Sequence, residues 1–91
     1  MTAIESLKIA RDHKISPSGL AVLLVAMDDS PVRATDIAER TGCSKANVTG
    51  RLDHLERDGW IQRAPNRADR RSLWITPTQR AFDIFTPCLV P

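Results

Sequence analysis

What the chain lacks narrows its possible functions. Its two cysteines, Cys43 and Cys88, are too few and too far apart for a disulfide framework. Its longest apolar run, residues 20–27, falls far short of the ~20 residues that span a bilayer. No signal peptide is visible at the N-terminus, so the expectation is a cytoplasmic protein with no membrane partner. There is no Gly-rich phosphate loop, no His-Glu-x-x-His pair and no nucleophile elbow. The acids form no pair in an apolar setting that would tune one carboxyl upward. A domain this small does not easily enclose a substrate pocket of ~300 Å³ or more. No enzyme and no cofactor are expected. His13 and His54 join the cysteines as possible metal ligands, but no two have the close spacing of a zinc site, so no metal is expected. Cys43, one residue before a helix cap, reads as a small buried hydrophobe more readily than as a redox sensor.

The 91 residues contain no repeat, low-complexity tract or long linker, and residues 1–91 read as one domain with a modest core. A net charge of +2 names no partner, but its distribution is uneven. Residues 1–43 hold five Lys/Arg against six Asp/Glu, and residues 44–91 hold eight against five. The positive half is the one that carries the presented helix described next, as a nucleic-acid footprint would.

That helix spans residues 45–58. A shorter helix, residues 34–41, precedes it and ends at Gly42, which adopts a left-handed cap without strain. Ser44 is placed to accept from the free backbone N–H groups that open the second helix. At ~100° per residue, Val48, Leu52 and Leu55 form a buried stripe. The opposite side carries Ala46, Gly50, Asp53 and Arg57, with Thr49 and Asn47 at its edges. Glycine inside a helix costs about 1 kcal/mol relative to alanine, which a solvated face has no reason to bear. A face lying against another surface does. Asn47 suits a bidentate contact to adenine, Ala46 a thymine methyl, and Ser44 with Lys45 a phosphate. The pattern is a helix-turn-helix whose second helix enters a DNA major groove.

Earlier in the chain, Thr2 and Glu5 have capping-box spacing for a helix over about 2–12, whose Ile4 and Leu7 belong either to the core or to a subunit contact. Ser16-Pro17 opens a helix over 17–27, apolar nearly all round and hence central. Val32 is placed to pair briefly with later strands, and Arg33 leads into the motif. After Gly59 the period becomes extended: a hairpin over about 60–76, followed by a helix over 79–85 that Thr78 caps and Pro87 stops. The hairpin loop carries Arg67, Arg70 and Arg71, suited to the phosphate backbone or a narrow minor groove. Trp60 and Trp74 read as packing at the core and wing base. The fold class is mainly α with a small β-hairpin, a winged helix-turn-helix domain.

Residues 34–82, with TDIAERTGCSKANVTGRLDHLERDGWIQR followed by DRRSLWITPT, resemble the multiple-antibiotic-resistance regulator (MarR) family of bacterial winged-helix transcription factors. The resemblance implies that Asp69 braces the wing through a salt bridge to an arginine and that the other wing arginines meet DNA. It also puts Ser44, Lys45, Asn47 and Thr49 on the recognition surface. Two positions depart from the family pattern. Gly50 stands where a basic residue is usual, and Arg51 follows at a normally apolar place, positioned to supply the displaced charge. The long terminal helices that form the family's intertwined dimer are not foreseen here, so no small-molecule inducer is expected. A reduced homodimer through the N-terminal helix and the apolar C-terminal tail is, the alternative being that the tail only closes the monomer core.

The expected function is sequence-specific binding of double-stranded DNA by a transcriptional regulator. The DNA-binding set is Arg33, Ser44, Lys45, Ala46, Asn47, Thr49, Gly50, Arg51, Arg67, Arg70 and Arg71. The competing reading is a winged-helix protein–protein interaction module.

Overall fold

Residues 20–27 are too apolar to lie on a surface, and the fold is built round them. A computed structural model of the chain describes residues 3–68 and 72–89, with side chains as far as residue 85. In order, its elements are α1 (Ala3–Asp12), α2 (Pro17–Asp28), α3 (Ala34–Thr41), α4 (Lys45–Arg57), β1 (Ile61–Pro65), β2 (Leu73–Pro77) and α5 (Gln79–Leu89). Ser16 caps α2 by accepting from Gly19 N–H at 3.0 Å, and Pro17 fills the first helical position, where a missing N–H costs nothing. Leu20, Val22, Leu23, Ala26 and Met27 are buried, and α2 touches α1, α3, α4 and β2. Each of these side chains except the small Ala26 contributes roughly 1.5–3 kcal/mol by leaving water.

β1 and β2 pair antiparallel, Ile61 opposite Pro77 and Arg63 opposite Ile75. Val32 adds the brief pairing anticipated for it, exchanging two backbone hydrogen bonds with Ile75 at 3.1 and 2.8 Å. This ties the start of the helix-turn-helix to the hairpin. The strands begin one residue later than expected. Trp60 is not in β1 because its N–H closes the end of α4 on the Leu55 carbonyl, and β1 runs on to Pro65. The Trp60 indole is buried, edge-on to His13 and to Phe85, with the Arg80 guanidinium 4.0 Å over its ring. It is core, and unavailable for stacking on bases.

One expectation is narrowed and two need correction. In α1 the inward residues are Ser6 and Ala10, whereas Ile4 and Leu7 are 68% and 45% exposed, which takes them out of the core and leaves the subunit contact as the alternative that stands. The Ser6 hydroxyl tolerates burial because it donates to the Ala3 carbonyl. α5 does not end at Phe85 but continues through Pro87 to Leu89. A proline forfeits only its own N–H bond and crowds the carbonyl four residues earlier, and the buried Ala81 and Phe85 hold the preceding turns in place. The Thr78 side chain does not cap α5. Its hydroxyl donates instead to the Gly59 carbonyl at 2.6 Å, joining the turn after α4 to the start of α5. Thr2, of the proposed capping box, lies outside the described residues.

Candidate nucleic-acid interface

α3 and α4 are set at their angle by the turn between them. Gly42 takes a left-handed conformation (φ 75°) that lets its N–H return to the Ala38 carbonyl. Ser44 then caps α4, its hydroxyl accepting from Asn47 N–H at 3.1 Å. Val48, Leu52 and Leu55 are buried against the core. This leaves Ser44, Lys45, Ala46, Asn47, Thr49 and Gly50 exposed on one continuous surface, with Arg51 half-buried at its rim.

Local hydrogen bonds define what that surface offers. Thr49 donates its hydroxyl to the Lys45 carbonyl at 3.0 Å, so it presents acceptor lone pairs and a methyl outward. Arg51 Nε donates to Asn47 Oδ1 at 3.3 Å, leaving the Asn47 amide N–H groups to a partner. Gly50 is the sharpest observation. A methyl built there meets nothing within 4 Å, and its backbone is ordinary helix, so the fold itself makes no demand for glycine.

The wing stands beside this face. A cleft between them is lined by Arg33, Thr35, Lys45, Thr49, Arg63 and Leu73. Arg33 is the N-cap of α3 and engages Asp36 at 3.1 Å, a contact that holds the Asp36 carboxyl below its usual range. Arg67 is exposed in the wing loop. Asp69, Arg70 and Arg71 lie outside the described residues.

Two residues that stiffen the wing escaped the sequence reading. Arg63 projects from β1 onto α4, 2.8 Å from Asp53 and 2.7 Å from Glu56. Its side chain is only 20% exposed. Hydrogen bonding to Arg63 pulls the Glu56 carboxyl below its ordinary value, and the same contact raises Arg63. An i,i+3 pair of acids just before a helix stop, with an arginine on the next strand, was the available signal. The second residue is Asn66, buried at the top of β1. Its amide donates to Ser72 Oγ at 3.2 Å and its Oδ1 accepts from Ala68 N–H at 2.9 Å, closing the base of the loop. Cys43 is half-buried and packs against the core. Among the described residues no three of His, Cys, Asp and Glu come together as a metal would require, and no helix is long and apolar enough to cross a membrane.

A profile of the MarR family matches residues 15–73. The HTH-type transcriptional regulator YfiV of Bacillus subtilis is 38% identical over 66 residues, covering 72% of this chain and 41% of that protein. Among solved structures, the transcriptional regulator Tm0710 of Thermotoga maritima superposes with a TM-score of 0.84 at 29% identity, over 94% of this chain and 61% of that one. A structure of reduced AbfR bound to DNA superposes at 0.75 with 27% identity, over 98% and 69%. The chain spans less than half the length of the curated relatives it matches.

Proposed function

The chain belongs to the MarR family, and from that premise we propose that it is a sequence-specific, double-stranded DNA-binding transcriptional regulator acting in the cytoplasm, with no catalytic role. α4 lies in the major groove. Lys45, Asn47 and Thr49 read base edges, while Ala46 and Gly50 let the helix approach them. Ser44 and Lys45 meet a phosphate at the start of the helix, and Arg33 and Arg51 stand at the two margins. Arg67, Arg70 and Arg71 hold the flanking backbone or minor groove, with Asp69 as the wing brace. AbfR, a structural neighbour, has been seen on DNA. The observation that carries the reading is the open space at Gly50: a residue that weakens a helix and serves no packing need fits a surface that must be closely approached.

The same reading includes a homodimer through α1 and α5. These helices pack together and leave Ile4 and Leu7 exposed beside them. Paired half-sites one helical turn apart would then give the affinity that one small domain lacks. No small-molecule inducer enters the proposal.

A salt titration of duplex binding tests it. The logarithm of the binding constant should fall linearly with the logarithm of salt, at a slope of about −0.9 for each phosphate neutralised. Weak, sequence-blind, salt-insensitive binding would mean a protein–protein interaction module instead.

A further inference from the structure

We propose that Asn47 and Arg51 together read guanine in the major groove, where asparagine alone would favour adenine; this rests on α4 being the groove helix. Arg51 Nε donates to Asn47 Oδ1 at 3.3 Å, one turn back along α4. A guanidinium carries N–H donors and no acceptor, so the amide atom facing it must be the oxygen. That fixes the Asn47 amide, with its N–H groups on the side away from Arg51 Nε. A bidentate contact to adenine needs the amide oxygen to accept from the N6 amino group while the amide nitrogen donates to N7. Here the oxygen is already engaged. A cation also stands beside it, where the adenine amino group would bring its own partial positive charge. Guanine offers the opposite edge, N7 and O6, both acceptors. The remaining donors suit it: among the described residues neither the Asn47 amide N–H groups nor the terminal nitrogens of Arg51 have a hydrogen-bond partner.

The packing of α4 holds Arg51 to this arrangement. Around the helix Arg51 lies ~40° from Leu55 and ~60° from Val48, at the edge of the buried stripe. Its aliphatic stem follows that apolar edge while the charged head stays in water, which is why the residue is half-buried. The stem passes the start of α2 at Gly19, its Cδ 4.0 Å from where a Gly19 methyl would stand. Long side chains on a helix lean toward its N-terminus, which carries the guanidinium back to Asn47. No Asp or Glu among the described residues lies within ion-pair distance of Arg51. Arg63 on the wing flank differs, since Asp53 and Glu56 already use it. The charge of Arg51 is thus left for a partner. Ala46 and Gly50, exposed beside Asn47 on the outer face, leave a base edge room to reach both side chains.

The test uses duplexes that the wild-type protein selects from a random pool. The position read by the pair is the one whose preference Asn47→Ala erases. Wild type should require guanine there, with adenine binding about 5- to 150-fold more weakly. Inosine, which keeps N7 and O6, should bind there as guanine does, whereas 7-deazaguanine, which lacks the N7 acceptor, should bind more weakly. These analogues need only wild-type protein. Arg51→Met keeps an unbranched stem on the same apolar edge and removes the charge, and a thermal melt verifies its fold. It frees Asn47 Oδ1, so the preference at that position should pass from guanine to adenine. If Arg51→Met instead weakens every duplex by the same factor and keeps the guanine preference, Arg51 is only a backbone contact and the proposal falls. A wild-type preference for adenine at the position that Asn47→Ala relaxes overturns it too, while α4 remains the groove helix. If wild type selects no sequence at all, both readings fail.

Discussion

Replacing Gly50 separates what the fold wants from what the ligand wants. The position is mid-helix, exposed, of ordinary helical backbone, and open to at least 4 Å around an added methyl. Gly50→Ala should therefore stabilise the protein by about 0.4–1 kcal/mol, from a better helix former and a less disordered unfolded chain. In a domain of this size that corresponds to a rise in Tm of about 2–8 °C. Gly50→Leu tests the other side. It should fold at least as well as wild type, since leucine is also a good helix former and nothing obstructs it. Its side chain would nonetheless hold α4 off the base edges. Forfeiting even one good bidentate base contact is worth about 1–3 kcal/mol, so binding to a matched duplex should weaken about 5- to 150-fold. Calorimetry of the free protein and fluorescence anisotropy on a labelled duplex read the two effects independently. If Gly50→Leu binds as tightly as wild type, the outer face of α4 does not approach DNA closely. If Gly50→Ala destabilises the protein, the position is packed after all, and the reason given for its glycine fails.

Other expectations follow from the same geometry. Because Arg63 depresses the Glu56 carboxyl in the folded state, the stability this adds is present above the ordinary glutamate range and is lost as pH falls through the folded value. The gap in melting temperature between wild type and Glu56→Gln should therefore narrow as the pH is lowered below the ordinary glutamate range, and a gap that does not change with acidification would show the contact is not ionic. Ser44→Ala removes the cap of α4 and should cost about 0.5–2 kcal/mol in chemical denaturation, whereas an unchanged midpoint would make the bond to Asn47 N–H irrelevant. Charging the exposed face of α1, as in Ile4→Asp with Leu7→Asp, should leave the fold intact and shift sedimentation toward the monomer. A wild type already monomeric at high concentration would remove α1 from any subunit contact.

Where the sequence reading worked, a local rule and the tertiary structure agreed. Ser44 and Gly42 act through bonds to near neighbours, and the stripe of Val48, Leu52 and Leu55 follows from helical spacing alone. Val32 pairs with Ile75 as its β-branched, turn-flanked setting suggested. Where the reading failed, partners distant in the chain decided. The sequence left Ile4 and Leu7 between the core and a subunit contact, and only the packing of α1 on α2 and α5, with Ser6 and Ala10 inward, takes them out of the core. Pro87 carries a strong local stop signal, but the anchoring of Phe85 in the core lies outside any local rule. Arg63 looked like one more wing cation among several. Only the packing of β1 on α4 shows that Asp53 and Glu56 already use it.

The most direct test of α4 as the reading helix is the affinity of Asn47→Ala for a matched duplex and for random DNA, compared at one salt concentration. Loss of its base contact should cost about 1–3 kcal/mol on the matched sequence and almost nothing on random DNA. Equal losses on the two, or none on either, would contradict a major-groove role for this face.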